Sequence, residues 1–453
     1  MHSWDAQQVA RHAGADLLVT PPHSAGPQRV SIDSRDAGPG VLFVGLPGER
    51  VHGGDFARQA LEAGAWGVLT DLERGGAAAS CGHGSSGGAA LMSAPDPLAA
   101  LQRLATAWRR ELGDAGAQVI AVTGSTGKTS TKDLLLSVLE TQRRTVASRA
   151  NFNTEIGLPL ELLAAPAGTE VLVLEMGMRG PGQIAELAAI AEPDVGVIVS
   201  IGPVHLERLG SIEAIAAAKA ELTAALAPGA TAVLPAHEPL LAPHLRADLA
   251  TVSFGPGGDV TLVSETRESV EIDAGGERII LGVDFPQAHL RRNLLAAVAA
   301  ARAVGVTPAG QVNLRLSAGR GQRVQLPGGV TLLDDAYNAN PMSMRAALDE
   351  LAAAGRGEHR IAVLGDMLEL GPAELDFHRE IGAYAAERAD VLVTVGPLAR
   401  VMSETFSGQS HHAANADEAT AIVRDLLQDG DVVLVKASNG VRLQQLCAAL
   451  VAA

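Results

Sequence analysis

The chain is 453 residues long, too long for one ordinary domain and long enough for two to four with substantial cores. Its apolar fraction, 47%, is that of a globular protein, and with aromatics at 3% those cores must be built from Ala, Val, Leu and Ile. A formal net charge of -16 argues against a nucleic-acid partner, which needs basic surface, yet leaves room for a phosphate ligand held by local cations, backbone N–H groups and metal ions.

No run of about 18 uncharged apolar residues occurs, so no membrane span is expected. Met1-His2-Ser3-Trp4-Asp5 lacks the basic stretch and apolar run of a secretion signal. The two cysteines, Cys81 and Cys447, are far apart, which fits a reducing, cytoplasmic compartment rather than a disulfide framework. Cys81 lies near His83, but no further ligands stand at zinc spacing, so a loop is the reading there.

In chain order, three blocks are expected, with boundaries at 1–112, 113–306 and 307–453. The first closes on an Ala/Leu-rich helical pattern over 97–112, followed by a linker at 113–117. Within it, 74–88 is low in complexity and reads as a mobile surface loop. The second block opens with the buried-strand run Val119-Ile120-Ala121-Val122. Further strands are expected at 171–174, 195–200 and 230–234, separated by helices at 128–141, 182–191 and 212–226. That alternation predicts a parallel α/β sheet. More strand-like segments follow at 251–254, 260–263 and 270–272, and a helix over 289–304 closes the block. The third block has strand patterns at 330–333, 361–364, 391–395 and 432–435 with helices between, again a doubly wound arrangement. No repeat of 20–50 residues is visible.

The strand at 119–122 runs through Thr123 into Gly124, Ser125, Thr126, Gly127, Lys128, Thr129 and Ser130, and then into a helix. This is the setting of a phosphate loop: glycines let N–H groups converge on phosphate oxygens, and the helix N-terminus adds positive potential. Lys128 can reach the terminal phosphates and the Thr129 hydroxyl can ligate Mg²⁺. The usual loop has its first glycine about five residues before the Gly-Lys pair. Here Val122 stands at that place and Gly124 lies nearer, so the motif is a variant. Glu175 ends a neighbouring strand, where it is either a Mg²⁺ ligand or a solvated charge. His205 follows another strand end, and such a histidine is often structural. Lys219 sits in an Ala-rich helix, where a snorkelling surface lysine is the default.

Taken together with other segments, these residues make the chain resemble the Mur ligases, the ATP-dependent amide-forming enzymes of peptidoglycan precursor synthesis. Ser31-Ile32-Asp33-Ser34-Arg35, Gly40-Val41-Leu42-Phe43, Gly48-Glu49 and Gly53-Gly54-Asp55-Phe56 look like the N-terminal domain of two branches of that family. The phosphate loop is similar to the family's. Asn151-Phe152-Asn153-Thr154-Glu155-Ile156-Gly157-Leu158-Pro159 and Asp335-Ala336-Tyr337-Asn338-Ala339-Asn340-Pro341 resemble the branch that adds D-alanyl-D-alanine to UDP-N-acetylmuramoyl-tripeptide. Val363-Leu364-Gly365-Asp366-Met367-Leu368-Glu369-Leu370-Gly371 is a further match, and the Asp-Asn-Pro-Arg run of many diaminopimelate-adding ligases is absent.

The resemblance implies three α/β domains: a small N-terminal domain for the UDP substrate, a central P-loop ATPase-like domain with a parallel sheet, and a Rossmann-like C-terminal domain for the amino substrate and closure. It implies ATP and two Mg²⁺ ions as cofactors, with Thr129, Glu175, His205 and Lys219 at the metals and Lys219 carbamylated. It implies that Asn293, with His289 nearby, lies near the adenine, that Arg320 meets the γ-phosphate, and that Asp335 lies near the nucleotide. Ser31, Asp33, Ser34 and Arg35 are implied to bind the UDP substrate. Asn151, Asn153, Thr154, Tyr337, Asn338 and Asn340 are expected at the substrates, although a capped turn before the helix at Ser343 also accounts for the last two. Leu290 and Lys436-Ala437-Ser438-Asn439 depart from the family pattern. His378, in an amphipathic stretch, is not separable into surface or site.

The implied reaction is attack of the peptide carboxylate on the γ-phosphate to give an acyl phosphate, then attack by the amine of D-alanyl-D-alanine; the general base for that amine is not identified. Small-molecule substrates, no membrane span and a monomer are expected. A diaminopimelate- or lysine-adding ligase is the near alternative. A nucleotide-hydrolysing P-loop switch and a folylpolyglutamate synthetase are more distant ones.

Overall fold

The computed structural model describes residues 3–21, 25–80, 88–149, 151–354 and 359–452. They form three α/β units in chain order, each built on its own sheet. Among the described residues no helix is long and apolar enough to cross a membrane.

The first sheet has five strands in the order Asp16–Val19, Ala90–Ser93, Gly67–Thr70, Val41–Val44 and Arg29–Ser31, with only the first pairing antiparallel. Its central strands are buried on both faces, which is why they read as unbroken apolar runs. The stretch expected to be a loop at 74–88 is partly helix: Leu72–Ser80 is one turn after another of Ala-rich helix. Composition misled there, because Ala favours helix while the flanking glycines signalled a loop. Cys81, His83 and the rest of that stretch up to 87 lie outside the described residues.

The helix closing this unit, Pro97–Asp114, is longer than expected. Asp96 caps it by accepting from the Leu98 and Ala99 N–H groups, and Pro97 occupies its first position, where no N–H is needed. One face packs on helix Ala6–Ala13, and another on helices Gly157–Ala164 and Gln183–Ala191 of the central unit. Trp108 donates to the Ala165 carbonyl, and the buried Arg109 donates to the carbonyls of Ala191 and Glu192 and to Asp194. One apolar core therefore runs from Trp4 through this helix to Leu222, and the expected linker shortens to the residues after Asp114.

The central sheet has ten strands. The order begins Thr145–Ala147, Val171–Glu175, Gln118–Thr123, Val195–Ile198, Thr231–Pro235, Ala250–Phe254 and Val260–Glu265, all parallel. Beyond the parallel sheet expected from the sequence, the later strand-like segments turn it antiparallel through Ser269–Ala274 and Glu277–Val283, and Gly310–Val312 ends it. Residues of Ser269–Ala274 alternate between buried and half-exposed, as a one-sided antiparallel strand requires, whereas Val171–Glu175 is buried throughout. The strand order reverses on either side of Gln118–Thr123, so a crevice opens at the carboxyl ends of the strands beside it.

The third sheet runs Gln322–Gln325, Thr331–Asp334, Val432–Lys436, Arg360–Gly365, Val391–Val395 and Gln409–Ala413, parallel except for the first pairing. Apolar clusters cover both of its faces, the doubly wound arrangement expected.

Candidate active site

The site is built on the crevice of the central sheet. Strand Gln118–Thr123 delivers the loop, and Thr123 anchors its end by donating to the Met176 carbonyl across 2.9 Å. Gly127 has φ 79°, a left-handed conformation, and a Cβ there would stand 2.9 Å from the Asn293 amide. Glycine is thus needed both for the turn and for the approach of Asn293. The segment after Val195–Ile198 braces the loop: the Ser125 N–H donates to the Ser200 carbonyl, the Thr126 N–H donates to Ser200 Oγ, and Ser125 Oγ accepts from the Gly202 N–H. The first loop-proximal N–H used within the helix is that of Thr131, bonded to the Gly127 carbonyl. The N–H groups of Lys128, Thr129 and Ser130 begin helix Lys128–Leu139 and have no carbonyl one turn earlier in the helix to receive them, the arrangement that draws an anion.

Lys128 Nζ donates to the Gly124 carbonyl at 2.8 Å, so the ammonium is folded over its own loop. Burial lowers its pKa, nearby Glu175 offsets part of that, and Arg320 adds to the lowering. Glu175 is 2% exposed. Its carboxylate accepts from Thr129 Oγ1 at 2.7 Å and from Asn153 Nδ2 at 2.8 Å. Lys219 is 2% exposed, and neither a hydrogen bond nor an ion pair joins its amine to any described residue. Burial first, and then the charge of Lys128, push its pKa well below that of an ordinary lysine. The expectation of a snorkelling surface lysine is therefore corrected: the amine faces inward. His205 completes the group. It lies within electrostatic reach of both lysines, and burial outweighs Glu369 in lowering its pKa. Lys128, Lys219 and His205 thus lie within electrostatic reach of one another, with Glu175 acting on Lys128 and Glu369 on His205, and burial disfavours the charged form of all three.

Among the described residues no three His, Cys, Asp or Glu side chains gather as a ready-made metal site. The donors present are the Thr129 hydroxyl, the Glu175 carboxylate and the His205 ring. They suit a hard cation that takes its remaining oxygens from phosphate.

The C-terminal unit contributes the opposite wall. The segment leading into it is tied to the phosphate-loop helix, because Asp133 Oδ2 accepts from both Ser317 N and Ser317 Oγ. Three residues on, Arg320 lies over the Tyr337 ring, 4.0 Å from its centre, and within electrostatic range of Lys128. Asp335 holds the buried Lys436: Nζ donates to Asp335 Oδ2 at 2.6 Å and to the Asn338 carbonyl at 2.7 Å. Both charges reach His289, whose ring lies between the units. Asn340 caps helix Pro341–Ala354: Oδ1 accepts from Ser343 N, and Ser343 Oγ accepts from Asn340 N. The capped-turn alternative is therefore realised in its geometry.

The N-terminal motif is less enclosed. Ser31 Oγ accepts from Asp33 N at 3.1 Å and donates toward Asp36, and Ser34 opens the short helical turn Ser34–Asp36. Asp33 and Arg35 form an exposed ion pair, and the guanidinium holds the Asp33 pKa down to about 2. The strand Arg29–Ser31 packs on helix Gly157–Ala164, just after the turn bearing Asn153 and Thr154. Asn151 is exposed in that turn.

Sequence reasoning missed Ser200 and Ser148, the latter accepting from the Glu175 N–H, because their role is to receive backbone donors from distant segments. Glu369 lies in the matching segment Val363–Gly371, but nothing in the sequence around it signals a role.

Three family models match the chain: the Mur ligase family catalytic domain over residues 28–109, the Mur ligase middle domain over 122–301, and the Mur ligase glutamate ligase domain over 319–439. The UDP-N-acetylmuramoyl-tripeptide–D-alanyl-D-alanine ligase of Bacillus subtilis is 36% identical over 430 residues, covering 92% of each chain. A crystal structure of MurF from Acinetobacter baumannii superposes with a TM-score of 0.87 at 28% identity, over 99% of both chains. That of MurF ligase from Thermotoga maritima in complex with ADP gives 0.79 at 29% identity, over 93% of this chain and 96% of that one. The chain belongs to the Mur ligase family, and its full-length likeness is to the branch whose members are named D-alanyl-D-alanine ligases.

Proposed function

We infer that the protein is an ATP-dependent amide ligase that joins D-alanyl-D-alanine to UDP-N-acetylmuramoyl-tripeptide in peptidoglycan precursor synthesis. The observation that carries this reading is the buried, unpaired Lys219 amine beside the phosphate loop, in a chain whose relatives match it end to end. A protein that only hydrolysed nucleotide would have little use for a buried amine with no partner; a ligase that must bring a carboxylate up to a polyphosphate can use its carbamate as an added anionic oxygen for Mg²⁺.

In this reading ATP lies along Gly124, Ser125, Thr126, Gly127, Lys128, Thr129 and Ser130, with its base toward Asn293. The UDP acceptor docks at Ser31, Asp33, Ser34 and Arg35 and runs past Asn151, Asn153 and Thr154, toward Glu175. Thr129, Glu175, His205 and carbamylated Lys219 would hold Mg²⁺, which when bound offsets the charge crowding between carboxylate and γ-phosphate. Lys128 leaves the Gly124 carbonyl for the terminal phosphate, and Arg320 approaches from the other wall. The peptide carboxylate displaces ADP and becomes an acyl phosphate. The amine of D-alanyl-D-alanine, positioned near Tyr337, Asn338 and Asn340, attacks the carbonyl, and phosphate leaves. Asp335 pairs with Lys436 at the wall of the site, and closure of the C-terminal unit excludes water from the acyl phosphate. Domains at 1–112, 113–306 and 307–453, with strand Gly310–Val312 of the last completing the central sheet, a monomer and a cytoplasmic location complete the proposal.

Offering D-alanyl-D-alanine, meso-diaminopimelate and lysine separately, with ATP and UDP-N-acetylmuramoyl-tripeptide, tests it. The expected result is ADP release and a product of added mass with the dipeptide alone. Turnover with diaminopimelate, or full-rate phosphate release from ATP alone, would overturn it.

A further inference from the structure

The contact between His205 and Glu369 joins two residues 164 positions apart, one from each wall of the cleft. His205 Nδ1 meets Glu369 Oε2 directly, and the Glu207 N–H donates to the Glu369 carbonyl at 3.3 Å. Both partners are strained in the same way: His205 has φ 53° and Glu369 φ 64°, the left-handed region that non-glycine residues seldom occupy. Such conformations persist only where the surroundings over-determine them.

Glu369 is held firmly from its own side. The Met367 N–H donates to Nε2 of the fully buried His378, whose Nδ1 in turn donates to the Glu374 carbonyl. The Leu368 N–H donates to Ser438 Oγ, and the Ser438 N–H donates to the Asp366 carbonyl. Backbone anchors therefore fix the loop immediately before Glu369, and Gly371 (φ 71°) lets it lie against the backbone at Glu207.

We propose that Glu369 is a positioning residue that fixes the His205 ring by accepting a hydrogen bond from Nδ1–H, so that the other nitrogen, Nε2, is the unprotonated one available to a metal ion beside Lys128 and Lys219. This rests on the reading of His205 as a metal ligand. A ligating imidazole works as the neutral ring, and an outer carboxylate on its other nitrogen sets both tautomer and orientation. The carboxylate here comes from the C-terminal unit, so the metal site is complete only when that unit is docked. Docking and metal binding then strengthen each other, since each stabilises the arrangement the other needs.

Mn²⁺ titrations of the full-length protein, read by electron paramagnetic resonance in the presence of ADP, test this, with His205→Ala, Glu369→Ala and Glu369→Gln compared with the parent. Glu369→Ala should weaken Mn²⁺ binding about tenfold and raise the Mg²⁺ concentration needed for half activity, with the KM for ATP little changed at saturating Mg²⁺. Glu369→Gln, whose amide oxygen still accepts from Nδ1–H, should restore most of the loss, which a merely structural defect would not. If Mn²⁺ affinity falls in His205→Ala and not in Glu369→Ala, the positioning role is overturned while His205 stands as a ligand. If it falls in neither, the ligand reading fails and the inference with it.

Discussion

Lys219 and Arg35 are both basic side chains assigned to the cleft, and their settings are opposite. Lys219 is 2% exposed with no partner, whereas the Arg35 side chain is 85% exposed and already paired to Asp33. The nucleotide end of the cleft has desolvated its charges in advance, so an arriving anion or a carbamate gains nearly the full interaction. The acceptor end keeps its charges in water, where they steer and select but contribute little each. Chemistry belongs at the first kind of site and recognition of a large, flexible substrate at the second.

Substitutions should separate the two ends by size of effect. Lys128→Ala should reduce acyl-phosphate formation about a thousandfold, measured as ADP release dependent on the UDP acceptor; a near-normal rate would remove the loop from the chemistry. Lys219→Ala should cost roughly a hundredfold and be partly restored by short carboxylic acids, which supply the missing anion. Failure of every such acid to restore activity would speak against the carbamate. Arg35→Ala should raise the KM for the UDP acceptor only about fivefold with kcat nearly unchanged, and the difference should shrink at high salt. A collapse of kcat instead would mean that the acceptor end takes part in the chemical step.

The smallest effect concerns stability. A lysine whose folded pKa is depressed binds fewer protons folded than unfolded, so its penalty is absent above the unfolded value, grows as pH falls, and is complete below the folded value. In bicarbonate-free buffer, Lys219→Met should therefore raise Tm by a few degrees at about pH 8 and by less near pH 10, while lowering ligation about as much as Lys219→Ala does. Asp33, held to about 2, stays ionised across the same range, so the acceptor end should show no such dependence. An equal gain at both pH values would indicate that Met simply packs better.

What the sequence made legible divides along similar lines. The phosphate loop was readable because its parts are consecutive: a buried strand, two glycines and a helix start. The fate of Lys219 was not, since a lysine among alanines points inward or outward according to what covers its helix. His378 was ambiguous for the same reason, and proves to be a fully buried acceptor for the Met367 N–H. The edge strand Gln409–Ala413 escaped notice because its Gln-Ser-His-His sequence has no apolar run, as suits an edge half-open to water. Glu369 carried no signal of its role, which exists only when His205 lies opposite. The resemblance supplied what periodicity lacked at Glu175 and His205, and the structure added the burial and the contacts that make those roles physically reasonable.

The central claim is that a carboxylate, rather than water, meets the γ-phosphate at this loop. Heavy oxygen placed in the terminal carboxylate of the UDP-tripeptide tests it most directly, by mass analysis of the phosphate released on turnover with ATP and D-alanyl-D-alanine. The account predicts that one labelled oxygen passes into each phosphate. Unlabelled phosphate, with the label retained in the peptide, would contradict it.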